Sequence, residues 1–201
     1  MENDKRGQKL REIKEEVINF QGSPLAEIRR AGGYYPVIGE GNHYARIMFV
    51  GEAPGKNEAK WGRPFCGSAG QILNELLEKI ELKRESVYIA NILKDRPPAN
   101  RDPLPEEIVS YAPFLDRQIK IIQPKIIVAL GRFSAHYLLN KFGLANEIKP
   151  ITVLQGKVFE VYSKYGEIKI IPFLHPASAI YDPRKKEILF NYFKLLKKYE
   201  N

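Results

Sequence analysis

Four short apolar runs, each broken by a glycine or a polar residue, constrain this chain more than anything else in it. Arg46–Val50 (RIMFV) stops at Gly51, Ser86–Leu93 (SVYIANIL) is interrupted by Asn91, Lys125–Leu130 (KIIVAL) stops at Gly131, and Glu167–Leu174 (EIKIIPFL) stops at His175. The runs are nearly continuous in apolar residues and lack the alternation of a strand with one wet face. Strands of that kind are buried on both sides, as in a mostly parallel sheet covered by helices.

The segments between the runs supply those helices. Leu10–Phe20 repeats apolar residues at Leu10, Ile13, Val17 and Ile18, and Gly67–Leu82 carries Ile72, Leu73, Leu76, Leu77 and Ile80 as one stripe, with Ser68 as its expected N-cap. Leu104–Ile122 opens with Pro103, Pro105, Glu106 and Glu107, residues suited to a first helical turn. Gly131–Phe142 and Pro183–Tyr199 complete the helices, while Gly22–His43 reads as loop and Ile151–Tyr162 as a hairpin or sheet-edge excursion turning at Gly156. No repeat or linker divides residues 1–201, so one domain of the α/β class is expected.

Several classes are excluded early. No apolar run approaches the ~20 residues of a membrane span, and the charged start MENDKRGQKL has no signal-like core, so a cytoplasmic location is expected. The single cysteine, Cys66, can build neither a disulfide nor a thiolate metal cage. A formal charge of +8 favours a polyanionic partner.

Parallel sheets bind ligands beyond the carboxyl ends of their strands. Here those ends read GEAPG, Asn91 through Arg101, GRFS and HPAS. GEAPGK is one residue short of a phosphate-binding loop, and Asn57 stands where Ser or Thr would hold magnesium. Ser134 lacks the second glycine of a nucleophile elbow. Of the three histidines, His136 reads as packed and His43 as solvated, and no metal-ligand spacing joins them; His175 ends a strand before a proline and reads as functional. Asn91 is an expensive amide inside an apolar run unless a partner satisfies it, and Phe65 offers a flat face from a Gly/Pro-stiffened loop. A planar, hydrogen-bonding ligand fits these groups, and a flipped nucleobase in a basic protein is such a ligand. Lys94, Arg96 and Arg101 follow one strand, and Arg184, Lys185 and Lys186 another.

With these residues in view, the sequence resembles the uracil-DNA glycosylase superfamily, family 4 in particular. MFVGEAPG with Glu58 beyond it, GRPFCGSAGQILNELL, YIANILKDRPPANRDPLPEEI and HPASAI match that family's blocks in order. The resemblance implies a three-layer αβα sandwich around a four-stranded, mostly parallel sheet, and a monomeric, DNA-associated enzyme acting on uracil-containing DNA. It implies that Phe65 stacks on uracil, that Asn91 reads its N3–H and O4, that the N–H groups of Glu52 and Ala53 and the ring of His175 face O2, and that Gly51 belongs to the base-binding set. Glu52 and Glu58 are the implied carboxylates; the aspartate of the best-known members is Ala53 here. Arg63, Ser68, Lys94, Arg96, Arg101, Ser178, Arg184 and Lys185 are the implied DNA-backbone contacts, and Ile180 or Tyr181 the residue that fills the vacated stack. A non-catalytic nucleic-acid-binding relative, or a glycosylase for hypoxanthine, is the alternative; Asn91 favours uracil.

One departure is large. Family 4 members hold a four-iron, four-sulfur cluster on four cysteines, and this chain has Phe20, Ser23, Asp95 and Tyr111 at those positions. Clusters need thiolates, so no cluster or other metal cofactor is expected, with packing through Phe20 and Tyr111 in its place. The long basic insertion with a second histidine, which marks the DNA-cross-linking subclass, is also missing.

Overall fold

The computed structural model describes residues 4–199. Helix α1 (Lys5–Ile18) starts at Asp4, whose side chain accepts the Gly7 N–H at 2.9 Å, and buries Leu10, Ile13 and Val17. Helix α2 (Pro24–Ala31) lies inside the segment expected to be loop. Ser23 caps it through the Leu25 N–H and Pro24 occupies its first turn, so its signal is a cap and a proline rather than a long stripe. Strand β1 (Glu40–Gly41) is equally brief.

Strand β2 (Ile47–Gly51) is wholly buried and leads into the short helix α3 (Lys56–Trp61) and then α4 (Ser68–Lys79). Gly67 is the N-cap of α4 and makes no side-chain cap bond, so Ser68 is its first helical residue rather than the expected cap. Strand β3 (Tyr88–Asn91), helix α5 (Pro105–Ile122), strand β4 (Ile126–Leu130) and helix α6 (Arg132–Lys141) follow.

The region read as a hairpin about Gly156 is different. Pro150 starts a single turn, α7 (Ile151–Leu154), which buries Leu154, and only Phe159–Ser163 is strand β5. The hairpin lies one step later, where β5 pairs antiparallel with β6 (Gly166–Phe173). Helix α8 (Pro183–Phe193) tightens into a 3₁₀ turn over Lys194–Tyr199.

The sheet order is β1-β3-β2-β4-β6-β5. It has six strands, not the four expected, because each edge gains an antiparallel strand: β1 beside β3 and β5 beside β6. The central β3-β2-β4-β6 pairs are all parallel, as the apolar runs require. Side chains alternate between the faces. Met48, Val50, Ala90, Ile127 and Ala129 pack with α1, α5 and α6, whereas Phe49, Ile89, Val128 and Phe173 pack with Leu73 and Leu77 of α4 and Leu189 and Phe193 of α8. Helices therefore cover both faces, and the carboxyl ends of the four parallel strands emerge along one rim.

Candidate active site

At that rim lies a cavity of about 600 Å³, within the size range of small-ligand sites. Glu52 and Ala53 after β2, Phe65 and Ser68 around the start of α4, Asn91 at the end of β3, and His175 after β6 all line it. Four separate strand and loop blocks thus converge on one space.

Asn91 is only 1% exposed, and its Oδ1 has no hydrogen-bond partner among the described residues. An orphaned amide oxygen at such depth costs roughly 1–3 kcal/mol, which a ligand donor would recover. Its main chain is held from behind: Lys94 Nζ donates to the Asn91 carbonyl at 2.7 Å. Gly51 is its register partner on β2. A Cβ on Gly51 would stand 2.3 Å from Asn91 Oδ1 and 2.8 Å from the Phe65 ring, so the glycine is what lets amide and ring approach.

Phe65 sits in the left-handed region, with φ +48°, an arrangement that costs about 1–3 kcal/mol. Two features hold it. Glu58 Oε1 accepts the N–H groups of Cys66 (3.0 Å) and Gly67 (2.7 Å), and Gly70 leaves room where a Cβ would fall 1.9 Å from the Phe65 carbonyl oxygen. Glu58 lines the cavity, but one of its oxygens is committed to this loop.

His175 is stacked near Phe65, with ring centroids 5.5 Å apart and planes inclined by 28°. Its Nδ1 accepts the Ala177 N–H at 3.1 Å, which places the ring proton on Nε2. Burial pushes its pKa down to about 4, so the imidazole is neutral at ordinary pH. Gly131, at φ +96°, makes room for it: a Cβ there would meet His175 Cβ at 3.2 Å.

Glu52 is half-buried, and its pKa rises to about 7, first through burial and then through the nearby Asp102 carboxylate, with Arg132 opposing. Asp102 and Arg132 form an ion pair with each other; neither is singled out by the sequence, since they lie on different blocks. The Glu52 carbonyl accepts the Leu93 N–H at 3.0 Å, which fixes the corner, while the N–H groups of Glu52 and Ala53 find no acceptor among the described residues.

The expected DNA contacts divide. Lys94 is fully buried: its Nζ donates to Ile38 O (3.2 Å), Asn91 O (2.7 Å) and Gln118 Oε1 (2.6 Å), so it cannot reach a phosphate. The Ser178 hydroxyl is also buried, with no partner among the described residues. Arg101 lines the cavity and pairs with Glu107, Arg63 pairs with Glu40 at 2.9 Å, and Arg184 with Asp182 at 3.1 Å, so these cations are partly neutralised. Arg96 donates to Asn100 Oδ1 at 2.7 Å. Ser68 and Lys185 are exposed, Ile180 lines the cavity, and Tyr181 stands 93% exposed beside it. His136 and His43 are each partly exposed rather than packed or fully solvated: His136 Nε2 is 3.2 Å from Lys149 O and His43 Nδ1 is 2.7 Å from Asp4 Oδ2.

Phe20, Ser23, Asp95 and Tyr111 gather on the sheet face beneath α2. Phe20 meets Tyr111 edge-on at 5.2 Å, and the Tyr111 hydroxyl donates to Asp95 Oδ2 at 2.6 Å beside the Ser23 hydroxyl. Asp95 Oδ1 lies 2.9 Å from Arg29 Nε, an ion pair with both side chains nearly excluded from solvent. Aromatic rings, a hydroxyl and a paired carboxylate offer no thiolate, so this donor set does not fit an iron–sulfur cluster.

The fold and cavity define an α/β protein with a pocket at the carboxyl ends of its central strands, lined by an amide, an aromatic ring and an imidazole. The family model described as the uracil DNA glycosylase superfamily matches residues 38–197. The chain is 47% identical over 189 residues to the Type-4 uracil-DNA glycosylase of Sulfurisphaera tokodaii, covering 94% of this chain and 83% of that protein. It is 44% identical over 178 residues to the Type-4 uracil-DNA glycosylase of Archaeoglobus fulgidus (89% and 86% covered), and 33% identical over 130 residues to the Type-5 uracil-DNA glycosylase of Thermus thermophilus (57% and 59%). The chain belongs to the uracil-DNA glycosylase superfamily.

Proposed function

We propose that this protein is a monofunctional uracil-DNA glycosylase that hydrolyses the N-glycosidic bond of flipped-out deoxyuridine, releasing uracil and leaving an abasic site. The carrying observation is the buried, unpartnered Asn91 Oδ1 on a cavity that the Phe65 ring and the neutral His175 also line. Its oxygen accepts uracil N3–H while its NH₂ donates to O4. Cytosine reverses both groups and would leave two buried mismatches, at roughly 1–3 kcal/mol each.

As the N1–C1′ bond breaks, both its electrons pass to uracil, and charge collects on O2. The free N–H groups of Glu52 and Ala53 and the Nε2–H of His175 supply donors there; one such donor is worth about 3–4 kcal/mol. Because His175 is neutral, it donates without delivering a net charge. Water adds to C1′ from the opposite face and its proton departs to solvent, with the Glu52 carboxylate steadying the sugar cation. Glu58 acts as the positioning group that fixes the stacking loop.

The reading takes the enzyme to work without an iron–sulfur cluster, the family's position being filled by the Arg29–Asp95–Tyr111 network, and as a monomer associated with DNA in the cytoplasm. No helix among the described residues is long and apolar enough to cross a membrane. The deciding assay incubates the protein with oligonucleotides holding one uracil or one inosine. Alkali-labile breaks at uracil are expected; intact strands with retained binding would establish a non-catalytic protein, and breaks at inosine alone a different base.

A further inference from the structure

A groove of about 470 Å³ lies at the opposite end of the sheet from the base cavity. It runs between α1 and α5, and Gln123, which lines it, comes just before β4, whereas the base cavity lies beyond the carboxyl ends of the strands. Arg6 ties the two helices together. It donates to Ile122 O at 2.8 Å, to Gln123 Oε1 at 2.9 Å and to His43 O at 3.3 Å. These bonds satisfy the carbonyl end of α5 and fix the guanidinium, and they leave part of its fork unused.

Charge on the lining is one-sided. Lys5 and Lys9 stand one turn apart on α1, and Lys120 lines the same groove from α5. All three are exposed, and none has an ion-pair partner among the described residues. Arg117 is neutralised by Glu16, with one of its bonds at 2.7 Å, so Glu12 is the carboxylate left to oppose them among the described residues of the lining. Three lysines and a fixed arginine against one carboxylate make a field that attracts a polyanion.

We propose that this groove holds the phosphate backbone of a second duplex DNA segment while a first occupies the base cavity, so that the protein can pass directly from one segment to another. The lining has no aromatic ring on which an unpaired base could stack. Ile121 is its one apolar side chain, too little to anchor a peptide segment. Arg101 lines the base cavity just before α5 begins, and Lys120 lines the groove near the helix's end. The 18 residues of α5 hold the two sites about 27 Å apart. One duplex cannot double back over that distance, which is far inside its persistence length of about 150 bp. The occupant is therefore a separate segment. The choice of DNA as the polyanion rests on the glycosylase reading.

The probe is a uracil-free duplex of about 15 base pairs, too short and stiff for one copy to fill both sites. Sedimentation of the full-length protein with excess duplex is expected to show two duplexes per protein. Dissociation of a labelled duplex should also speed up in proportion to added unlabelled duplex. The triple variant Lys5→Ala, Lys9→Ala, Lys120→Ala should bind the second duplex at least about tenfold more weakly, with the salt slope reduced by about 0.9 per lysine. It should lose the dependence on competitor, whereas its melt and its single-turnover excision stay at the wild-type level, since all three side chains are exposed and remote from the cavity. Glu12→Gln should tighten the second duplex by about threefold.

One duplex per wild-type protein, released at a rate indifferent to competitor, would overturn the proposal. So would a triple variant that still carries two duplexes. Oligoglutamate that displaces the second duplex at equal charge concentration would make the occupant an acidic protein segment and overturn it as well. A protein that holds two duplexes yet never excises uracil would sink the glycosylase reading and leave the groove standing; excision without a second duplex would do the reverse.

Discussion

Lys94 Nζ donates to the main-chain oxygen of Asn91 at 2.7 Å, so a buried amine holds the backbone of the residue whose side-chain amide lines the cavity. Gln118 completes the arrangement, accepting from Lys94 at 2.6 Å and donating to Ile38 O at 2.8 Å. Burial lowers the Lys94 pKa to about 7, while three acceptors around one nitrogen favour its proton.

Lys94→Met keeps the volume but strands those three acceptors. Chemical denaturation should show a loss of roughly 2–4 kcal/mol, and kcat/KM on uracil should drop at least about tenfold as the amide loses its brace. A variant with wild-type stability and rate would show that the ammonium is not a brace.

Gly51→Ala places a methyl group 2.3 Å from Asn91 Oδ1, where neither the amide nor the Phe65 ring can retreat freely. Uracil excision should fall by about a hundredfold, or ~2.7 kcal/mol, with the thermal transition lowered but cooperative. Undiminished single-turnover excision would mean that the amide and ring are not in working positions.

Glu52 is expected to govern the pH profile. Its folded pKa of about 7 lies above the ordinary 4.5, so the carboxylate forms late and kcat/KM should rise through pH 7. The same shift makes folding stability decline from pH 4.5 to 7, because the native chain retains a proton that the unfolded chain has released. Asp102→Asn should move the acidic limb to lower pH and Arg132→Gln to higher pH, since each removes one of the charges acting on Glu52. Rate profiles of the two variants that coincide with the wild type would remove Glu52 from the ionisation.

Asp95→Asn tests the network at the family's cluster position. It leaves Arg29 buried without its countercharge, which costs about 3–5 kcal/mol, while the rate per folded molecule should remain near wild type because the network lies outside the cavity lining. Melting curves and active-site titration read the two effects separately; an unshifted melt would show that the pair holds nothing together.

How much of this could be read from the sequence depended on whether a residue's role was local. Gly51, Asn91 and His175 each break an apolar run, and a break of that kind marks a strand end wherever the chain goes next. Asn91 and His175 line the cavity, and Gly51 lies against Asn91 and the Phe65 ring behind it. Lys94 follows the same run and reads as a surface cation, because what buries it is Gln118 on α5 and Ile38 before β1, neither visible from its neighbours. Helices α2 and α3 and strand β1 leave no periodic signal in the sequence for a related reason: they are too short to show one, and caps and sheet pairing define them instead. The pairing of Asp102 with Arg132 beside Glu52 joins a loop to the first residue of α6, far apart in the chain.

The left-handed backbone at Phe65 has a consequence for anyone trying to make this protein sturdier. Asparagine or glycine at residue 65 would relax the main chain by about 1–3 kcal/mol, but either would remove a buried ring from the core and the flat face from the cavity, a loss of about 3–5 kcal/mol in packing. Comfort of the loop and possession of the ring exclude one another at that position, so improvements in robustness have to be sought elsewhere in the molecule.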